Sequence, residues 1–190
     1  VYDQTQDFDL RIEQWFAKRM PGMRQWSAVR FVSGMIVERI LTSRYPEIAR
    51  FQRSCHSCRF DGDNLLPCGK CSKCQGVLLF LLANNVDPSI MGYTDEDAAV
   101  LTARIAEGNL RLDEDERDHS LYLAQISPNL KGKEHAHVET IHLHKPTSDL
   151  ELVPARFRFP LLKIFTKYTK GFTALKEGSW VPIESSTSLT

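Results

Sequence analysis

The chain has 190 residues, 42% of them hydrophobic and 25% charged, which is enough length and apolar content for one domain, or one domain with a tail, around a buried core. Its 24 basic residues balance its 24 acidic ones, so no global field draws it to nucleic acid or to an anionic membrane. The longest apolar run, Gly76 to Asn84, falls far short of the roughly 18 residues that span a bilayer, and no charged-then-apolar leader is present. A cytoplasmic, reducing setting is therefore expected, where clustered cysteines favour metal over disulfides. The chain opens on Val1, which reads as a piece cut from a longer protein or as a processed one.

In chain order, Phe8, Ile12, Trp15 and Phe16 share one helical face, with Arg19 following, until Pro21 and Gly22 end the segment. Ser33 is placed to cap a second helix that buries Ile36, Val37, Ile40 and Leu41. Tyr45-Pro46 stops that helix and starts a turn carrying Ile48 and Phe51. Ser72 to Asn84 is apolar on every side and predicts a buried helix whose first turn carries Cys74. Thr94 with Asp95, Glu96 and Asp97 is an N-cap followed by an acidic first turn, and Gly108 is a C-terminal stop after Leu101 and Ile105. A further helix is expected over Asp113 to Ile126, ahead of Pro128.

The character changes after about residue 128. Val138 to Leu143 has partial strand alternation, and Pro146 and Pro154 punctuate the next stretch. Phe159 to Phe172 reads as a basic amphipathic helix with Lys163, Lys167 and Lys170 at helical spacing, and Glu184 to Thr190 as a disordered Ser/Thr-rich tail. The expected fold is mostly α with a small β element. It divides into a helical metal-binding region over residues 1–128 and a segment over 129–190 of short strand, basic helix and tail.

All five cysteines, Cys55, Cys58, Cys68, Cys71 and Cys74, lie within twenty consecutive residues. Cys68-Gly-Lys-Cys71-Ser-Lys-Cys74 supplies three thiolates from one loop, with Gly69 allowing the tight turn, and tetrahedral zinc needs a fourth. Cys55 and Cys58 compete for that place, and a two-plus-two set that omits a downstream thiol is the alternative. The tight downstream triplet argues that one upstream cysteine is spare. Lys70 and Lys73 flank the ligands, either to offset the negative charge of a zinc-tetrathiolate or as solvated loop positions. An iron–sulfur cluster and buried free thiols are the competing readings of the same spacing.

The stretches YPEIARFQRSC and CGKCSKCQGVLLFLL resemble the C-terminal half of the peptidoglycan-precursor epimerase family that acts on UDP-N-acetylmuramoyl-L-alanyl-L-glutamate. More distantly they are similar to the end of the 7-cyano-7-deazaguanine synthase family. Both belong to the PP-loop ATP pyrophosphatase group of the adenine-nucleotide α-hydrolase-like fold. The matching positions are Arg53, Ser54 and Cys55, then Cys68, Gly69, Cys71 and Cys74. The segment YDQTQDFDLRIEQW and the stretch Ser27 to Ser33 also resemble the epimerase-like pattern, which runs to about residue 110.

The resemblance implies a zinc site of Cys55, Cys68, Cys71 and Cys74, with Cys58 as the extra or substitute thiol. It also implies that the chain is the helical C-terminal part of an α/β enzyme acting on a nucleotide-linked substrate. ATP and Mg2+ belong to the full-length family only, because the phosphate-cradling S-G-G-x-D-S turn does not occur in this sequence. On that reading the upstream half adenylates a substrate carboxylate, and the zinc is structural, shaping one wall of the substrate pocket. The alternative is a zinc-knuckle module that binds protein or nucleic acid without catalysis.

His135-Ala-His137 and His142-Leu-His144 each place two imidazoles on one face of an expected strand, where Glu134 or Glu139 could complete a metal site for hydrolysis, or where they are ordinary exposed histidines. Asp61-Gly-Asp63-Asn64 lacks a calcium loop's closing glutamate, since Ser72 stands there, and reads as a turn. Asp113 to Glu116 reads as the solvated start of a helix. The interleaved ARFRFPLLKIFTKYTK suits either a partner surface or docking on the domain. Ser33 and Arg30 fall near the family's nucleotide cleft, with helix capping the simpler role for Ser33 and no partners for a serine nucleophile.

Overall fold

Capping chemistry sets the first boundary. Thr5 accepts a hydrogen bond from the amide of Phe8, and helix α1 then runs Gln6–Arg19 in a computed structural model that describes residues 5–184. The proposed tail from 185 onward and residues 2–4 of the epimerase-like segment lie outside the described residues. The fold is mostly helical, with small sheets and a four-cysteine cluster. Among the described residues, no helix is long and apolar enough to cross a membrane.

The described residues form two compact units, one continuous over residues 34–138 and the other made from residues 5–33 and 139–184. The change of character read at residue 128 falls inside the continuous unit.

That unit centres on helix α4 (Ser72–Ala83), in which every residue from Cys74 to Leu81 is buried. A helix apolar on all sides must be surrounded, and α4 packs against α2 (Gly34–Arg44), α5 (Asp95–Ala106) and α6 (Glu114–Ala124). Leu78, Leu79, Leu81, Met91 and Leu101 form the centre of this core. On α2 the buried face carries Met35, Ile36, Glu38 and Thr42, whereas Val37, Ile40 and Leu41 are only half-buried, so the inward stripe is rotated from the one expected. The short α3 (Pro46–Ala49) leaves Ile48 and then Phe51 exposed. β1 (Arg59–Asp61) and β2 (Asn64–Leu66) make an antiparallel hairpin around Gly62-Asp63, so the Asp61 segment is a turn between the two cysteine groups. On α5 the Thr94 and Asp97 pair forms a complete capping box, and Gly108 follows at φ +69°.

Glu38 is 3% exposed, and one carboxylate oxygen accepts from Gln52 at 3.2 Å while the other has no hydrogen-bond partner. Burial pushes its pKa up to about 7, with the Gln52 bond pulling weakly the other way. The folded state therefore holds this proton between pH 4.5 and 7 where the unfolded chain releases it. Stability from this group is full below pH 4.5 and falls by about 3 kcal/mol as pH rises to 7. Urea unfolding of Glu38→Gln beside wild type should show the variant gaining relative stability from about pH 5 to about pH 8. A constant difference would show that Glu38 ionises normally.

In the discontinuous unit α1 has no fully buried residue. Phe8, Ile12 and Phe16 are half-buried, and Trp15 is 47% exposed beneath the Arg19 guanidinium. Arg30 forms an ion pair with Asp9 of α1. A three-stranded sheet in the order β3 (Ile141–Leu143), β4 (Phe172–Lys176) and β5 (Ser179–Ile183) has β3 parallel to β4 and β5 antiparallel to it. The expected basic helix over Phe159–Phe172 is instead α7, Ala155–Phe165, with Pro160 inside it. Lys167 and Lys170 lie in the following turns and Phe172 opens β4.

Candidate metal centre

The loop after β2 folds around Gly69, which has φ +70° and no room for a side chain, since a Cβ there would overlap the carboxylate of Asp97. Gln75, fully buried on α4, donates its side-chain amide to the Gly69 carbonyl. Cys71 is the N-cap of α4 and its sulfur accepts from the amide of Cys74 at 3.4 Å. The sulfur of Cys68 likewise accepts from the amide of Cys71 at 3.4 Å, and that of Cys55 from the amide of Ser57 at 3.1 Å. Backbone amides thus aim at three of the sulfurs, and Cys71 sits at the N-terminus of α4.

The sulfurs of Cys55, Cys68, Cys71 and Cys74 all lie within 4.8 Å of one another. A tetrahedron of bonds of about 2.3 Å has edges of about 3.8 Å, and the sulfurs of Cys68 and Cys74 are 3.8 Å apart. The set therefore fits a single metal ion such as zinc. A multi-iron cluster must fit its own irons and sulfides between the thiolates and needs a wider cage. Cys58 stands outside this group, and its thiol donates to the carbonyl of Cys55 at 3.1 Å.

Burial opposes ionisation at Cys55, but donors from Cys68, Ser57 and Cys74 outweigh it and hold the thiol down at about 6. Burial and the adjacent Cys55 push Cys58 up. Burial, followed by the bond with Cys71, pushes Cys74 up, although the Tyr93 hydroxyl donates to its sulfur. A bound cation would drive all four to thiolate. Lys70 and Lys73 are exposed, and Lys73 reaches the imidazole of His56 at 3.0 Å.

The histidine pairs fall differently from the strand expectation. His135 and His137 are not on a strand, because residues Ala136–Glu139 form a 3-10 turn. Their carboxylate partner is Asp115, on the first turn of α6, at 3.1 and 3.3 Å. Glu134 is exposed, and Glu139 is 3% exposed and paired with Lys170. His142 does lie on β3, with His144 one residue beyond it, but both rings contact Trp180, the first stacked at 4.4 Å. Neither belongs to a metal-ligand group among the described residues. The acidic run is not simply solvated, since Glu116 accepts from the amide of Met35 at 2.9 Å and burial raises its pKa. The Glu38, Gln75 and Tyr93 surroundings of the cysteine unit, and Asp115, were not found from the sequence. They act through contacts between distant segments and carry no local motif.

The fold and the site define a small, mostly helical protein with a four-cysteine centre suited to one metal ion. Comparisons with protein-family models, with curated proteins and with solved structures gave no match for this chain.

Proposed function

We propose that the four thiolates hold a structural zinc, and that the chain is the zinc-bearing C-terminal part of an ATP-using, PP-loop-type enzyme acting on a nucleotide-linked substrate. The observation that carries the zinc reading is the closed sulfur shell, four thiols converging with backbone amides aimed at three of them. Such a shell leaves no open coordination position, so its work is to hold the Cys55–Cys74 loop on α4 and not to bind substrate. The enzyme reading rests on the resemblance of Arg53-Ser54-Cys55 and the Cys68 to Cys74 block, and it places the ATP chemistry in residues other than these.

Pyrophosphate release from ATP, assayed with the longest natural polypeptide that contains this sequence and with UDP-linked muramoyl peptides as substrates, tests that reading. Release that depends on the substrate is expected. Full-length protein that binds no ATP sinks it.

One observation favours a second reading, a zinc-knuckle module that docks on a protein. Phe60 is 78% exposed and its direct cross-strand neighbour Leu65 is 38% exposed, both on the hairpin between the cysteine groups. Phe60→Ser should leave metal content and melting unchanged, because the side chain packs on little of its own chain. A large loss of stability in a thermal melt would show that the residue is structural instead.

A further inference from the structure

After α6 the chain turns back and runs along that helix. Gly132 lies so close to it that a Cβ would overlap the carbonyl of Asp118 and the amide of Tyr122, and would sit 2.7 Å from the Cβ of Leu121. This close approach carries the next residues toward the helix N-terminus. The amide of His135 donates to Nδ1 of the fully buried His119 at 3.0 Å, which fixes the backbone at that point. The 3-10 turn at Ala136–Glu139 then brings His137 back to the same spot. Both rings converge on the carboxylate of Asp115: Nδ1 of His135 is 3.1 Å from one oxygen and Nε2 of His137 is 3.3 Å from the other. The ring planes are nearly perpendicular, at 87°.

We propose that Asp115, His135 and His137 form a second metal site, for a divalent first-row transition ion such as zinc, independent of the thiolate cluster. The three donor atoms lie within 4.8 Å of one another. Bonds of about 2.0–2.1 Å to a tetrahedral ion put neighbouring donors roughly 3.3 Å apart, close to the two imidazole–carboxylate distances here. Two imidazoles and one carboxylate suit zinc, cobalt, nickel and iron(II) more than calcium or magnesium, which prefer all-oxygen shells. The side chains are partly open, with His135 and His137 17% and 15% exposed and Asp115 42% exposed, so an ion has an entry path. Nε2 of His135 is buried without a hydrogen-bond partner, which leaves Nδ1 as the nitrogen that faces the other donors. Three protein ligands leave a fourth position for water, in contrast with the closed sulfur shell.

Zinc and cobalt(II) titrations of the chelator-treated whole chain separate the two sites, because only thiolate-bound cobalt gives an intense sulfur-to-metal charge-transfer band. Wild type should take up two equivalents of zinc. The double variant His135→Ala, His137→Ala should take up one and keep the thiolate band, whose presence reports that residues 34–138 are still folded. The isosteric Asp115→Asn should weaken the second uptake by more than the roughly 10–100-fold typical of losing an outer-shell partner. The thiolate band reports on the sulfur site and the equivalent taken up without that band reports on the second site, so failure of one is read apart from failure of the other. A single equivalent in wild type, or a second equivalent that survives both histidine and Asp115 substitutions, overturns the proposal.

Discussion

Cys71→Ser should lose the bound metal and, with it, the cooperative unfolding of residues 34–138. Cys71 does two things at once: it is one of four converging thiols, and it caps α4 by taking the amide of Cys74 on its sulfur. Serine keeps a cap but is a poor zinc ligand, so the change isolates the metal. Structural zinc contributes on the order of 10 kcal/mol of apparent folding free energy in small sites, comparable with the whole stability of a domain. Elemental analysis together with a thermal melt checks this. Retained zinc with an unchanged transition would end the structural-metal reading, whereas Cys58→Ser, outside the sulfur group, should keep both metal and melt.

A smaller loss is expected from Gly69→Ala, which removes no ligand. At φ +70° a Cβ costs about 1–2 kcal/mol. Here it would also overlap the Asp97 carboxylate, which is 7% exposed and held by the capping box on Thr94, so it has nowhere to go. The sum should reach about 2–5 kcal/mol, the added part being the usual cost of overpacking. Gly108→Ala is the matched control. Gly108 has φ +69° but open space around it, so only the conformational cost of about 1–2 kcal/mol applies. Equal destabilisation of the two variants in urea would mean that the Asp97 contact is yielding. Zinc affinity, measured by chelator competition, should fall for Gly69→Ala alone, since the glycine sits between two ligands.

Local patterns were legible in the sequence where a single segment decides its own state. The all-round apolar stretch gave α4, Thr94 and Asp97 gave α5, and the acidic run gave the start of α6. The cysteine spacing pointed to a metal cage because three ligands fall in one loop, while the fourth, Cys55, was chosen over Cys58 only through a family resemblance. What escaped depends on distant pairing. The β4–β5 hairpin turns on Glu177 and Gly178, at φ +50° and +79°, a two-residue connection with a weaker signature than Asn-Gly. The His-x-His alternation matched a strand period, but a 3-10 turn formed instead. Its carboxylate sits twenty positions earlier on α6, beyond the reach of any spacing rule.

The unit without cysteines is built from two segments that flank residues 34–138, and this orders its assembly during synthesis. Residues 34–138 emerge as one uninterrupted stretch, and the sulfur ligands are near neighbours in it, so their loop closes at small entropic cost. The amide of His142 donates to the carbonyl of Phe31, and β3 pairs with β4, which comes only after α7. The leading segment must therefore wait for the trailing strands before its own partners exist. Connectivity thus makes the metal-bearing unit the early folder on the ribosome and leaves residues 5–33 to settle only once residues 139–184 have been made.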